Sequence, residues 1–161
     1  MKGLVGELIE KDRIVDTINQ LFITTDKRDW AGVRAALADT VLFDMTSLTG
    51  GQPSRMKAEQ VAAGWEEGLR AIEAVHHQAG NYRVTVQGDQ ATAFCYAIAS
   101  HYRKTRSGRN TRAFVGSYDF HLAQVGGDGD AVAVGGAVPW LAADPVRDAP
   151  DALPLLGRRG R

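Results

Sequence analysis

The chain has 161 residues, with 19 basic and 19 acidic side chains, four histidines and a single cysteine, Cys95. That length suits one domain able to enclose a small-molecule cavity, and the cancelled charge gives no field to draw nucleic acid or anionic lipid. One cysteine excludes an internal disulfide and fits a reducing compartment, no run reaches the length of a membrane span, and Met1–Glu7 becomes charged too early for a signal peptide. A cytoplasmic protein without nucleic-acid or membrane partners is expected.

Leu8, Ile9, Ile14, Val15, Ile18, Leu21 and Phe22 fall on one helical face, which predicts an amphipathic helix from about 7 to 24. Asp26-Lys27-Arg28-Asp29 interrupts it, and Asp29 is positioned to cap a second helix, Trp30 to about Ala38, with Trp30, Val33 and Leu37 inward. Val41–Met45 reads as a short strand, followed by the turn-rich Thr49–Pro53. Ser54 is placed to cap a third helix, Arg55 to Ile72, which Gly64 and Gly68 weaken.

The second half reads as strands. Glu73–Gln87 and Gln90–Tyr102 flank Gly88-Asp89, a strong hairpin signal, and Ala113–Gln124 follows a basic stretch, Arg103–Arg112, read as a solvated hairpin loop. Gly126–Asp130 is a turn, Asp130–Val138 a weak final strand, and the proline-containing 139–161 a loosely ordered tail beyond a single domain at 1–138. Helices first and antiparallel strands afterwards define an α+β fold with helices covering one face of a curved sheet.

Alternation along the strands sorts the side chains. On Ala91–Tyr102 the odd positions are small and end in His101, whereas the even positions are bulky. If the next hairpin is centred so that Ser107 faces Arg109, odd faces odd, and His101 shares a surface with Ser117 and Asp119.

Four segments then resemble the SnoaL-like branch of the nuclear transport factor 2-like superfamily, most closely scytalone dehydratase-like proteins. They are Asp26-Lys27-Arg28-Asp29-Trp30, Val41–Met45, Val75-His76-His77-Gln78-Ala79-Gly80-Asn81 and Ser100-His101-Tyr102-Arg103. The resemblance implies a cone-shaped barrel, its mostly antiparallel mixed sheet wrapped around the N-terminal helices, with a deep apolar pocket and cofactor-free acid–base catalysis. It implies catalytic roles for Asp26, His77 and His101, and places Ser117 and Asp119 where the dehydratases carry a serine and an asparagine. Thr25 and Met45 stand where those enzymes have substrate-facing tyrosines; with Asp44 they are expected to line the pocket.

Removing water next to a carbonyl needs a base for a carbon-bound proton and an acid for the leaving hydroxyl, and two imidazoles titrating near neutrality suit both tasks. Asp26–His77 is read as one unit, with the carboxylate holding one tautomer, and His101 with Ser117 as the other. The expected activity is that of a dehydratase or isomerase acting on a small cyclic or aromatic carbonyl compound. A non-catalytic ligand-binding or oligomerisation module on the same scaffold competes with it. Epoxide hydrolysis through Asp44 or Asp119 is a weaker alternative. No His-x-His or His-x-x-x-His spacing occurs, so no metal is expected. An exposed sheet face suggests a homo-oligomer, dimer or trimer.

His76 and His77 cannot both face the pocket from one strand. The Gly88-Asp89 turn continued without interruption brings His76 opposite His101, whereas the resemblance selects His77. Both hold if a β-bulge lies near Gly80-Asn81, with His77 inward and His76 outward.

Overall fold

Helix α1 (Leu4–Asp26) buries Ile14, Ile18, Leu21, Phe22 and Thr25 along one face, as its apolar spacing requires. In the computed structural model, which describes residues 3–125, 129–133 and 137–138, the chain then turns through Arg28 in the left-handed region (φ 58°). Asp29 caps α2 (Trp30–Ala36) by accepting a 2.9 Å hydrogen bond from the Gly32 amide, and α2 buries Val33.

Strand β1 (Thr40–Phe43) is followed by a one-turn helix, α3 (Thr46–Thr49), and by β2 (Ser54–Lys57). The expectation of a helix from Arg55 is corrected here. Ser54–Lys57 pair antiparallel with Phe43–Thr40, so a partner distant in sequence overrides the local cap signal. Helix α4 starts only at Ala58 and runs to Leu69, with the Lys57 amide bonded to the Gln60 side chain at 2.8 Å.

Strands β3 (Ala74–Gln87), β4 (Gln90–Tyr102), β5 (Thr111–Val125), β6 (Gly129–Ala133) and β7 (Ala137–Val138) form one curved, open sheet. Every pairing in it is antiparallel; β3 is an edge, β6 lies beyond β5, and β7 also pairs with β5. The weak final strand thus has real pairing in 129–133 and 137–138. The expected tail at 139–161 and the first part of the Gly126–Asp130 turn lie outside the described residues.

The β3–β4 hairpin turns at Gly88 (φ 61°), pairing Gln87 with Gln90. From Gln87 to Arg83 the register is that of a two-residue turn. It then shifts by one between Arg83 and Gly80, where Asn81 and Tyr82 together oppose Cys95. Asn81 sits at φ 57°, a conformation asparagine tolerates better than most residues. Beyond the bulge Val75 faces His101 and His77 faces Ala99, so His77 is inward; His76 is 74% exposed. The expected bulge is present.

The β4–β5 register differs from expectation. Tyr102 pairs with Thr111, leaving an eight-residue loop, so odd positions face even ones and His101 lies opposite Arg112. Thr105 organises the loop: its hydroxyl bonds the Arg109 carbonyl and the Asn110 side chain, and Gly108 (φ 77°) closes the turn onto the Thr105 carbonyl. The inward face of β5 is therefore Arg112, Phe114, Gly116, Tyr118, Phe120 and Leu122. Arg112, read as part of a solvated loop, is buried and lies over the Phe114 ring at 5.1 Å. Of the inward residues of β5, Phe120 and Leu122, with Tyr118 packed against them, join the small odd face of β4 and the apolar face of α1 in the core.

A Cβ on Gly32 would meet Asp29 Oδ2 at 2.5 Å and Thr24 Cγ2 at 2.7 Å. Replacing a helical glycine by alanine ordinarily stabilises by about 1 kcal/mol. Here Gly32→Ala displaces the capping carboxylate, and the expected outcome in urea unfolding is a loss of about 1 kcal/mol instead.

Candidate functional site

The last turn of α1 and the start of β3 meet at Asp26. Its Oδ2 accepts a hydrogen bond from the His77 amide at 2.8 Å, and its Oδ1 lies 2.6 Å from His77 Nδ1. One carboxylate therefore holds both the backbone and the ring of a single residue. Because an ionised carboxylate only accepts, Nδ1 carries the proton, and in the neutral ring Nε2 is the nitrogen that keeps its lone pair. The His77 side chain is 10% exposed, and Phe22 stacks on it with centroids 5.1 Å apart. His76, exposed, stands 3.9 Å from the same carboxylate.

The loop that presents Asp26 is tied down on its other side. The Arg28 guanidinium donates to the carbonyls of Leu69, at 3.0 Å, and Ile72, at the end of α4. Trp30 packs against Leu69, Ile72 and Val75. The five residues Asp26–Trp30 thus join α1, α2, α4 and β3.

His77 borders a cavity of about 60 Å³ whose walls are mostly apolar: Leu21, Phe22, Phe43, Met45, Trp65, Leu69 and Phe120. Thr25, Asp44 and Tyr118 complete the lining. The Thr25 hydroxyl is occupied by the Leu21 carbonyl at 2.7 Å. The Asp44 carboxylate accepts from the Thr46 amide and hydroxyl, at 3.0 and 2.7 Å; the amide chiefly, then the hydroxyl, hold its pKa below the usual carboxylate value. Of the expected lining residues, Thr25, Asp44 and Met45 are at the cavity.

Ser117 and Asp119 are not. The β5 register turns both to the opposite side of the sheet, where Ser117 faces Tyr96 and Asp119 faces Phe94. Pairing His101 with Ser117 is therefore corrected, and Asp119 stands on the face of the sheet away from this cavity, whereas Asp44 borders it with Oδ1 engaged by Thr46. The residues that replace them, Tyr118 and Phe120, stand on the even face of the same strand. Their signal is the alternation itself, which turns Tyr118 and Phe120 inward once the eight-residue loop sets the parity.

His101 shares the inward face with His77 but differs in state. It is 1% exposed, touches Phe114 at 5.0 Å between centroids, and neither ring nitrogen has a hydrogen-bond partner. Burial, reinforced by His77 and Arg112 and opposed by Asp26, pushes its pKa down to about 4. His101 is thus neutral at pH 7, and the expectation of two imidazoles titrating near neutrality does not hold for it. Cys95, wholly buried among alanines, has its thiol pushed up to about 12 by burial and then by Asp119; it is an unreactive core residue. Among the described residues no three His, Cys, Asp or Glu side chains gather as metal ligands, and no helix is long and apolar enough to cross a membrane.

The sequence matches the SnoaL-like domain over residues 6–130. Among solved structures, the Kfla4162 protein from Kribbella flavida superposes with a TM-score of 0.76 at 23% identity, over 81% of this chain and 92% of its own. A protein proposed to be a scytalone dehydratase, from Novosphingobium aromaticivorans, gives 0.64 at 16% identity, over 79% and 81%. A nuclear transport factor 2-like superfamily protein from Salmonella enterica gives 0.63 at 16%, over 86% and 96%. No curated protein matches.

The lowered pKa of His101 has a consequence for stability. Its folded value of about 4 lies below the unfolded value of 6.5, so the unfolded chain binds the proton first as pH falls. The residue costs nothing above pH 6.5; the penalty grows between 6.5 and 4 and is constant below, reaching about 3 kcal/mol. Urea unfolding at pH 7 and pH 5 is expected to show a fall in stability about 2 kcal/mol smaller in His101→Leu than in the parent protein.

Proposed function

Because the chain belongs to the SnoaL-like domain family, we propose that it is a cofactor-independent acid–base enzyme, a dehydratase or isomerase, acting on a small cyclic or aromatic carbonyl compound. One observation carries the reading: the Asp26 carboxylate holds the amide and the ring Nδ1 of His77 at the edge of a mostly apolar cavity. Residues 1–138 are the domain that houses this chemistry.

In the proposed reaction His77 Nε2 takes the proton from the carbon next to the carbonyl, leaving an enolate. Asp26 stabilises the resulting imidazolium, as a buried carboxylate does in other histidine pairs. Isomerisation returns the proton to another carbon; dehydration delivers it to a leaving hydroxyl as the carbon–oxygen bond breaks. Both share the first step, and the small, mostly apolar cavity suits a small, mostly apolar molecule. His101, 1% exposed and outside the cavity lining, has no step in this scheme.

The cavity's apolar lining also favours a second reading, a non-catalytic pocket protein that holds the same class of compound. Exposed Tyr96, Ile98 and Val115, together on the outer sheet face, support a homo-oligomer with a second copy there. Light scattering of the parent and of Ile98→Lys is expected to show an oligomer that the charge dissociates.

Proton abstraction is measurable without the natural substrate. 1-Tetralone incubated in D2O is expected to exchange its α-hydrogens faster with the protein than with buffer, read by proton NMR. His77→Gln should return the rate to that of buffer, and Asp26→Asn should lower it by about 10²-fold or more. Exchange no faster than buffer, or unchanged in His77→Gln, would leave the binding-protein reading.

A further inference from the structure

The cavity around His77 has few polar groups, and most already have partners. Thr25 bonds the Leu21 carbonyl, Asp44 bonds Thr46, and His77 Nδ1 bonds Asp26. Tyr118 differs. It borders the same cavity, and its contacts are ring contacts only: edge-on to Phe22 at 5.3 Å and stacked with Phe120 at 5.8 Å. No described residue receives a hydrogen bond from its hydroxyl. Its position is fixed by the register that pairs Cys95 with Tyr118 on the inward side of the sheet.

Phe22 joins the two groups. It stacks on the His77 ring and meets the Tyr118 ring at an angle of 69°, so both side chains are packed against one phenyl ring. Two flanking rings hold the tyrosine in place, which limits the entropy it loses on meeting a ligand. A buried or half-buried phenol usually finds a partner, and Tyr118 borders a cavity in which a bound ligand could supply one.

We propose that Tyr118 is a further catalytic residue, the donor that hydrogen-bonds the substrate's carbonyl oxygen while His77 removes the proton next to it. This rests on the acid–base reading above and deepens it. As the carbon–hydrogen bond breaks, its electron pair moves into the new carbon–carbon double bond and negative charge gathers on the oxygen. A donor aimed at that oxygen stabilises the enolate more than the ketone and so lowers the barrier. The phenol stays protonated for the task, since burial, with a smaller contribution from Cys95, pushes its pKa up to about 12.

The test uses 1-tetralone with the full chain and two readouts, the dissociation constant and the infrared carbonyl stretch of the bound ketone. In the parent protein and in His77→Gln the stretch is expected at lower frequency than in water-free solvent. In Tyr118→Phe it should return toward the free position, with binding weakened up to about tenfold, the scale of one hydrogen bond. α-Hydrogen exchange in D2O should fall in Tyr118→Phe and in His77→Gln alike, with thermal unfolding unchanged in Tyr118→Phe. A carbonyl stretch and exchange rate unaltered by Tyr118→Phe, with His77→Gln still inactive, would overturn the role of Tyr118 and leave the acid–base reading standing. Tetralone that neither binds nor exchanges in the parent protein would overturn both.

Discussion

The two hydrogen bonds that His77 donates to the Asp26 carboxylate are the constraint on which the rest of the site depends. His77 lies on the edge strand, where an amide not used by the sheet would otherwise face solvent. The carboxylate satisfies that amide and the ring nitrogen together, so strand position and ring orientation are set by one side chain. Carboxylate hydrogen bonds of this charge-assisted kind are stronger than neutral ones and sharply directional. The stacking Phe22, one turn earlier on α1 and inward on the same helical face, shields the ring from water.

That constraint needs Asp26 to be held from behind as well. Arg28 provides the hold, at the cost of a left-handed backbone that a non-glycine residue adopts only when its surroundings over-determine it. The strain sits two residues from the proposed chemistry. Its compensation is visible: a guanidinium bonded to two carbonyls at the end of α4, the Asp29 cap on α2, and Trp30 against Leu69 and Ile72. Leu69 also lines the cavity, so the tie that steadies the acid also sets one wall of the pocket.

Much of this was legible in the residues. The face of α1, the Asp29 cap and the Gly88-Asp89 hairpin follow from local rules, and the conflict between turn register and motif pointed to a bulge at Gly80-Asn81. What local rules could not supply was pairing decided at a distance. Ser54–Lys57 reads as a helix start until β1 is available as its partner. The parity of β5 depends on whether eight or nine residues separate the paired ends, and the polar stretch Arg103–Asn110 carries no single dominant turn signal. That one uncertainty exchanged Ser117 and Asp119 for Tyr118 and Phe120 at the cavity, and hid the burial of Arg112.

The bulge at Asn81-Tyr82 has a meaning beyond geometry. The strand stores, in a single extra residue, the choice of which of two adjacent histidines meets the carboxylate. On its turn side the inward residues are even-numbered; on the site side they are odd. Closing the bulge at constant length would slip the site side of the strand by one residue, bringing His76 opposite His101 and turning His77 to the outer face. The doublet of histidines would then still present an imidazole on the inner face, but without the carboxylate contacts that His77 makes.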